Sequence, residues 1–276
     1  MLLGHAMLAS NRCSYLCWVG SGKGARWMGG VLTGAELAEF QETGFIRLEH
    51  AFESDTVAAV HADLQARLGV SFTDRTTWPR PRITLAEVMT SPPYTDAVTP
   101  RLVGALDDLL GAGRWQPVDY MGWWQITFPG FEVIDYGDDW HVDGRAFVHR
   151  PWSGDLRIFP LFLFSDIVPK GGGTLLDVGS HRRVAGVLWD SEPAGLDPVT
   201  LTQIVGELPE SRVDVVEATG AAGDVMLCHP MIYHSSNRND GEIPRVQATP
   251  HVIAADGYPG RQPFVPVDQV IWDARP

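Results

Sequence analysis

Lysine is almost absent from this chain: Lys23 and Lys170 are its only two, and the other basic residues are arginines. Acidic side chains outnumber basic ones 34 to 21, for a net charge of −13. That balance argues against a broad footprint for nucleic acid or an anionic membrane surface, while leaving room for a local basic pocket. Cysteine is equally sparse. Cys13, Cys17 and Cys228 are too few and odd in number for a disulfide framework, which suits a reducing cytoplasm. Cys13 and Cys17 lack the second pair that would complete a metal site. No apolar run approaches the roughly 18 residues of a membrane span, and neither an internal repeat nor a low-complexity tract is present.

What remains is ordinary for a globular protein: 276 residues, 45% hydrophobic and 20% charged, enough for one large core. Met1 to Leu8 is mildly apolar, but Arg12, Lys23 and Arg26 follow it instead of preceding it, the wrong order for a signal peptide. Residues 1–29 therefore read as a disordered extension, or as sequence ahead of a translation start near Met28. The second reading is preferred because an organised pattern begins just afterwards. A single domain is expected over 30–276, helical over 30–115, with a β core over about 119–255.

Thr33-Gly34-Ala35-Glu36 is a capping box, and the helix it opens should stop at Gly44. A second helix starts at Ser54, carries Val57, Val60, Leu64 and Leu68 on one face, and ends at Gly69. Thr99-Pro100 announces a third, built on Leu102, Val103, Leu106 and Leu110 and ended by Gly111. From Asp119 the punctuation changes. Short β-rich runs appear at Trp123–Phe128, Leu156–Ile167, Thr174–Val178, Arg212–Val216, Asp224–Leu227 and Arg245–Ile253. Many short strands between Gly, Pro and Asp turns indicate a sandwich or barrel, with helices between Ser180 and Glu210 filling one connection.

Within that β region lies Trp140-His141-Val142-Asp143-Gly144. On an extended strand His141 and Asp143 point to one face while Val142 packs behind. His-x-Asp alone is weak evidence. It is answered by His234, 91 residues after Asp143, and by Arg245, eleven residues further on. Two imidazoles and one carboxylate are the ligand set of an open non-haem Fe(II) site. A guanidinium adds a bidentate partner for a carboxylate. The set points to an oxygenase using iron and a dicarboxylate co-substrate.

The run Gly223-Asp224 through His229, His234, Ser235, Ser236, Asn237, Arg238 and Asn239, closing at Arg245, resembles the carboxyl-terminal motif of the phytanoyl-CoA dioxygenase family. Trp140-His141-Val142-Asp143 resembles that family's first metal motif. Gly171-Gly172-Gly173-Thr174 and Gly179-Ser180-His181 resemble its intervening loop and turn, and Leu32 to His50 matches as well. The resemblance runs from about Val31 to Ile253.

It implies a mainly β fold with a helical amino-terminal region, a double-stranded β-helix or cupin-like jelly-roll, holding Fe(II) and 2-oxoglutarate. By position it implies His141, Asp143 and His234 as iron ligands, Arg245 for the distal carboxylate of 2-oxoglutarate, and Ser236 as a supporting hydroxyl. Thr174 and Gln125 are further candidates to face the co-substrate. The implied reaction consumes dioxygen, converts 2-oxoglutarate to succinate and carbon dioxide, and oxidises a small molecule, with ascorbate as a supporting reductant. Hydroxylation is the default outcome. Asp143 argues against halogenation, whereas desaturation, epimerisation and ring closure use the same ligands.

His229, five residues before His234, should face away from the metal and serve a structural role, and Asp224 and Asn239 should hold turns. Trp115, Trp123, Trp124, Trp140 and Trp152 surround the first metal motif, mostly as core. Alternation puts Trp123, Gln125 and Thr127 on one face and Trp124, Ile126 and Phe128 on the other. A partly aromatic pocket favours a small hydrophobic or aromatic metabolite of specialised metabolism. Arg145, His149, Arg150 and Arg157 offer either an anion site or a solvated rim. An acyl-CoA needs several basic contacts, and this acidic, lysine-poor chain offers few. Two rivals use the same residues: a non-catalytic jelly-roll that keeps the motif as a relic, and a zinc-dependent hydrolase. Arg245 counts against the hydrolase, which needs no dicarboxylate anchor.

Overall fold

A computed structural model describes residues 30–131, 139–144, 146–151, 156–255 and 265–276. The extension at 1–29, with Cys13, Cys17 and Met28, lies outside the described residues, as do Arg145 and Trp152.

The amino-terminal helices form where their caps are. Helix α1 (Gly34–Thr43) begins with the reciprocal Thr33–Glu36 capping box and ends at Gly44, whose φ of 91° is left-handed. A side chain there would also run into His181, so this C-cap has to be glycine. Helix α2 (Ser54–Leu68) ends at Gly69, and α3 (Pro100–Leu110) is capped by the Thr99 hydroxyl. Two strands interrupt this region, β1 (Phe45–Leu48) and β2 (Arg82–Leu85), so the amino-terminal third is less purely helical than its sequence reads. Both are four residues long, too short for a clear period-two signal.

The remaining strands are β3 (Trp124–Thr127), β4 (Leu156–Leu163), β5 (Leu175–Asp177), β6 (Val215–Glu217), β7 (Val225–Cys228), β8 (His234–Ser235), β9 (Arg245–Ala248) and β10 (Val252–Ile253). Three differ from expectation. The strand foreseen at Arg212–Val216 starts only at Val215, Arg212 having a left-handed φ of 59°. Arg245–Ile253 breaks after Ala248, with Pro250 in the gap. The Leu156–Ile167 run ends at Leu163. Helices α4 (Ser180–Asp190) and α5 (Pro198–Glu207) occupy the predicted connection, and α6 (Pro266–Asp273) packs against α1, α3 and α4.

One large antiparallel sheet runs in the order β1-β7-β4-β9-β3-β2, with β10 also on β4; a small one runs β6-β5-β8. Alternation decides the use of each face. Ile46, Ile83, Trp124, Ile126, Phe162 and Val246 turn outward into one core with α1 to α3. Each such side chain contributes roughly 1.5–3 kcal/mol by burial. On the inner face, Phe159, Leu161, Leu163, Met226 and Cys228 of β4 and β7 pack against Leu176 and Ile232 on the small-sheet side. The β2, β3 and β9 part of that face is polar instead, and a cavity opens over it. The architecture is the expected jelly-roll. No described helix is long and apolar enough to cross a membrane.

Candidate functional site

The strand segment carrying His141 lies against β8: His141 N–H donates to His234 O at 2.9 Å and His234 N–H to His141 O at 3.0 Å. A mutual pair of this kind brings facing side chains together, and the two imidazole centroids are 4.3 Å apart. Val142 turns the other way into a core with Val184, Leu188 and Tyr233. Asp143 returns to the histidines' side, its Oδ1 lying 3.6 Å from His141 Nε2 and 3.9 Å from His234 Nε2. Gly144 then turns the chain with φ of 104°, where a side chain would collide with Phe147 and His149.

The ring nitrogens facing away are already engaged. His141 Nδ1–H donates to Asp139 O at 2.7 Å and His234 Nδ1–H to Ile232 O at 3.1 Å. Such bonds fix tautomer and ring orientation, leaving both Nε2 atoms as ligands. One donor atom from each of His141, Asp143 and His234 lies within 4.8 Å of the others, so the set can close on one ion. Burial alone would raise the Asp143 carboxyl, but the neighbouring imidazoles of His141 and His234 hold it at about 2. Burial pushes His234 down to about 4, so it is a neutral ligand at physiological pH. Burial also opposes protonation of His141, yet the nearby Asp143 carboxylate and the bond to the Asp139 carbonyl raise it. The donors fit a divalent first-row metal.

These three residues line a cavity of about 750 Å³ whose floor is the polar part of the large sheet. Strand register arranges the floor in rows. Arg82, Thr127 and Arg245 are paired across β2, β3 and β9, and Thr84, Gln125 and Gln247 form the next row. Beyond them Thr249 N–H donates to Gly122 O, beside Trp123.

Arg245 is only 3% exposed. Burial, with Arg82 adding repulsion, lowers its guanidinium to about 9, and its buried Nε has no hydrogen-bond partner. A buried cation with an unused donor fits an anionic guest better than a structural ion pair. Ser236 and Thr174 line the same cavity, and Gln247 Nε2–H donates to Thr174 Oγ1 at 3.4 Å. Gln125 Oε1 accepts from Arg82 Nε at 2.8 Å, and Ser236 Oγ accepts from Arg82 Nη1 at 3.3 Å.

All seven residues singled out in the sequence thus face one space: His141, Asp143, His234, Arg245, Ser236, Thr174 and Gln125. The described members of the basic group that offered an anion site or a solvated rim, His149, Arg150 and Arg157, do not join them. Arg157 is buried against Asp268 at 2.6 Å, and Arg150 donates to the Pro193 and Ala194 carbonyls. His149 is bonded to Gly144 O, and Arg145 lies outside the described residues. The cation that sequence reasoning missed is Arg82; its signal was the alternation Arg82-Ile83-Thr84-Leu85, which puts Arg82 and Thr84 on one face. Phe159, 4.4 Å from the His234 ring, and His251 were missed as well. His229 is buried and bonded to Val267 O, while Asp224 and Asn239 hold turns, as expected.

The profile of the phytanoyl-CoA dioxygenase (PhyH) family matches residues 40–246. No curated protein matches. Among solved structures, EctD from S. alaskensis with bound Fe is similar at 22% identity over 87% of this chain and 83% of that one, with a TM-score of 0.56. EctD from S. alaskensis with 2-oxoglutarate and 5-hydroxyectoine is similar at 20% identity over 88% and 83%, with a TM-score of 0.55. HygX from Streptomyces hygroscopicus with nickel, 2-oxoglutarate and hygromycin B follows at 18% identity over 84% and 90%, with a TM-score of 0.49. At these identities the EctD likeness is one of fold.

Proposed function

The chain belongs to the phytanoyl-CoA dioxygenase family, and from that premise we propose that it is an Fe(II)- and 2-oxoglutarate-dependent oxygenase that hydroxylates a small hydrophobic or aromatic metabolite. One observation carries the reading: a three-ligand cluster and a buried guanidinium with an unused donor share one cavity.

In this reading His141 and His234 would hold Fe(II) through Nε2 and Asp143 through its carboxylate, a donor set suited to that ion. Bound Fe(II) would supply dioxygen activation coupled to oxidative decarboxylation of 2-oxoglutarate, leading to oxidation of the substrate. Arg245 takes the distal carboxylate of 2-oxoglutarate in charge-assisted bonds, with Ser236 beside it. Arg82 adds positive potential at the same end, and Thr174 and Gln125 flank the co-substrate. Phe159 closes the floor under His234 and keeps water from the metal's neighbourhood.

The test is binding and turnover of 2-oxoglutarate with Fe(II) and ascorbate, comparing wild type with His141→Ala and Arg245→Ala. Loss of metal binding in the first and of 2-oxoglutarate binding in the second is the expected result. Succinate formation unchanged in either variant would remove the assigned role. Wild-type protein that takes up no iron under anaerobic loading would favour the non-catalytic rival.

A further inference from the structure

The cavity is chemically lopsided. Among the described residues both of its arginines, Arg82 and Arg245, stand on its first row. Trp123 immediately precedes β3, at the end of that strand opposite to Thr127 of that row. Thr249 and His251 lie beside it, and the described lining holds no further lysine or arginine. The nearest acids, Asp139 and Asp143, are on the metal wall.

Trp123 itself is unusual. It is 44% exposed, and among the described residues it is the only exposed aromatic. Its φ of 52° is left-handed, a strained state for a bulky side chain, and strain of this sort concentrates at functional sites. Its ring lies nearly parallel to that of His251, 18° between planes and 6.0 Å between centroids. The His251 backbone is held on both sides by Tyr120: His251 N–H donates to the Tyr120 hydroxyl at 3.1 Å, and that hydroxyl donates to His251 O at 3.2 Å. The strand end carrying His251 is tied to the Trp123 strand by the Thr249–Gly122 bond. Two flat rings on a braced backbone, open to the cavity, form a rigid stacking surface.

We infer that Trp123 and His251 are the substrate's seat, selecting a planar aromatic ring. The inference rests on the oxygenase reading above and names the substrate class for that site. Trp123 is the specificity-determining residue, because it offers the larger and more exposed face.

The experiment uses full-length protein loaded with redox-inert Ni(II) and 2-oxoglutarate, titrated calorimetrically with two probes: 2-phenylethanol and its saturated counterpart 2-cyclohexylethanol. Wild type should bind 2-phenylethanol roughly tenfold tighter than 2-cyclohexylethanol. Trp123→Ala should abolish the preference for the planar ring, and Trp123→Phe should keep most of it. His251→Ala should reduce it severalfold. Thermal melts establish that each variant is folded, and Trp123→Phe decides the matter if the alanine variant is not. Equal affinity for the planar and saturated probes in wild type, no binding of 2-phenylethanol, or a preference that survives in folded Trp123→Ala would each overturn the inference. The preceding 2-oxoglutarate titration separates the two claims. Failure to bind 2-oxoglutarate sinks the oxygenase reading, whereas normal 2-oxoglutarate binding without ring preference sinks only the stacking seat.

Discussion

Replacing Arg245 with methionine should make the ligand-free protein more stable while destroying its affinity for 2-oxoglutarate. Burial and the neighbouring Arg82 lower the Arg245 guanidinium from 12.5 to about 9, which disfavours the charged form by on the order of 5 kcal/mol. That penalty already includes attraction to Glu217, and water in the cavity softens it. Methionine matches the length of the arginine stem and leaves no buried charge, so a net gain of about 1–3 kcal/mol is expected. In a chain of this size that corresponds to a melting temperature about 2–8 °C higher. The same change removes one partner of a buried charge pair with the co-substrate, a loss of about 2–5 kcal/mol. The dissociation constant for 2-oxoglutarate should therefore rise from roughly 30-fold to several thousand-fold. Differential scanning fluorimetry on Ni(II)-loaded protein, with and without 2-oxoglutarate, reads both effects. Wild type should melt lower without ligand and shift upward when 2-oxoglutarate is added; Arg245→Met should melt higher and not respond. A variant that melts below wild type, or that keeps its 2-oxoglutarate shift, would refute the argument that this cation is held ready for an anion.

Other consequences follow from groups away from that arginine. His141→Ala should weaken Fe(II) binding at least about 100-fold in anaerobic titrations yet leave the apo melting temperature nearly unchanged, because the backbone pair with His234 does not need the imidazole; a large fall in apo stability would contradict this. His181 is buried beside His229; burial pushes His181 down to about 4 and His229 well below its usual value. Above pH 6.5 both are neutral whether folded or unfolded and contribute nothing. As pH falls from 6.5 towards 4 the unfolded chain binds protons that the folded one refuses, so stability should drop by about 3 kcal/mol from His181 alone; urea melts that coincide at pH 7 and pH 4.5 would disprove it. Asp268→Ala should cost about 3–5 kcal/mol by removing the carboxylate from buried Arg157, while the double change Arg157→Met with Asp268→Leu should recover most of it in the same denaturation assay.

The parts legible in the sequence were those written in local chemistry. The α1 capping box and the glycine stops announced three helices because each cap involves residues within a few positions of one another. The His141–Asp143 spacing signalled a shared face because strand alternation is a local property. His234 and Arg245 needed the family resemblance, since only the pairing of distant strands places them near His141. Arg82 shows the limit: alternation puts it on one face with Thr84, but nothing near it in sequence ties that face to the metal, and its place opposite Thr127 comes from the register of β2 on β3. Conversely, Arg157 resembled an anion receiver because it is basic and close to the metal motif, whereas its position on β4 turns it towards α6 and Asp268. Proximity along the chain misled there, and pairing across the sheet decided the outcome.

Arg245 and Gln247 occupy alternate positions of β9, while Thr249 and His251 follow in the break before β10. Inserting or deleting a single residue ahead of Arg245 would slide β9, turning both side chains away and presenting Val246 and Ala248 in their place. The co-substrate would lose its anchor in one step, so length changes there should be lethal to activity. Point changes past the break, at His251, should redirect the enzyme to new molecules while leaving its fuel supply intact.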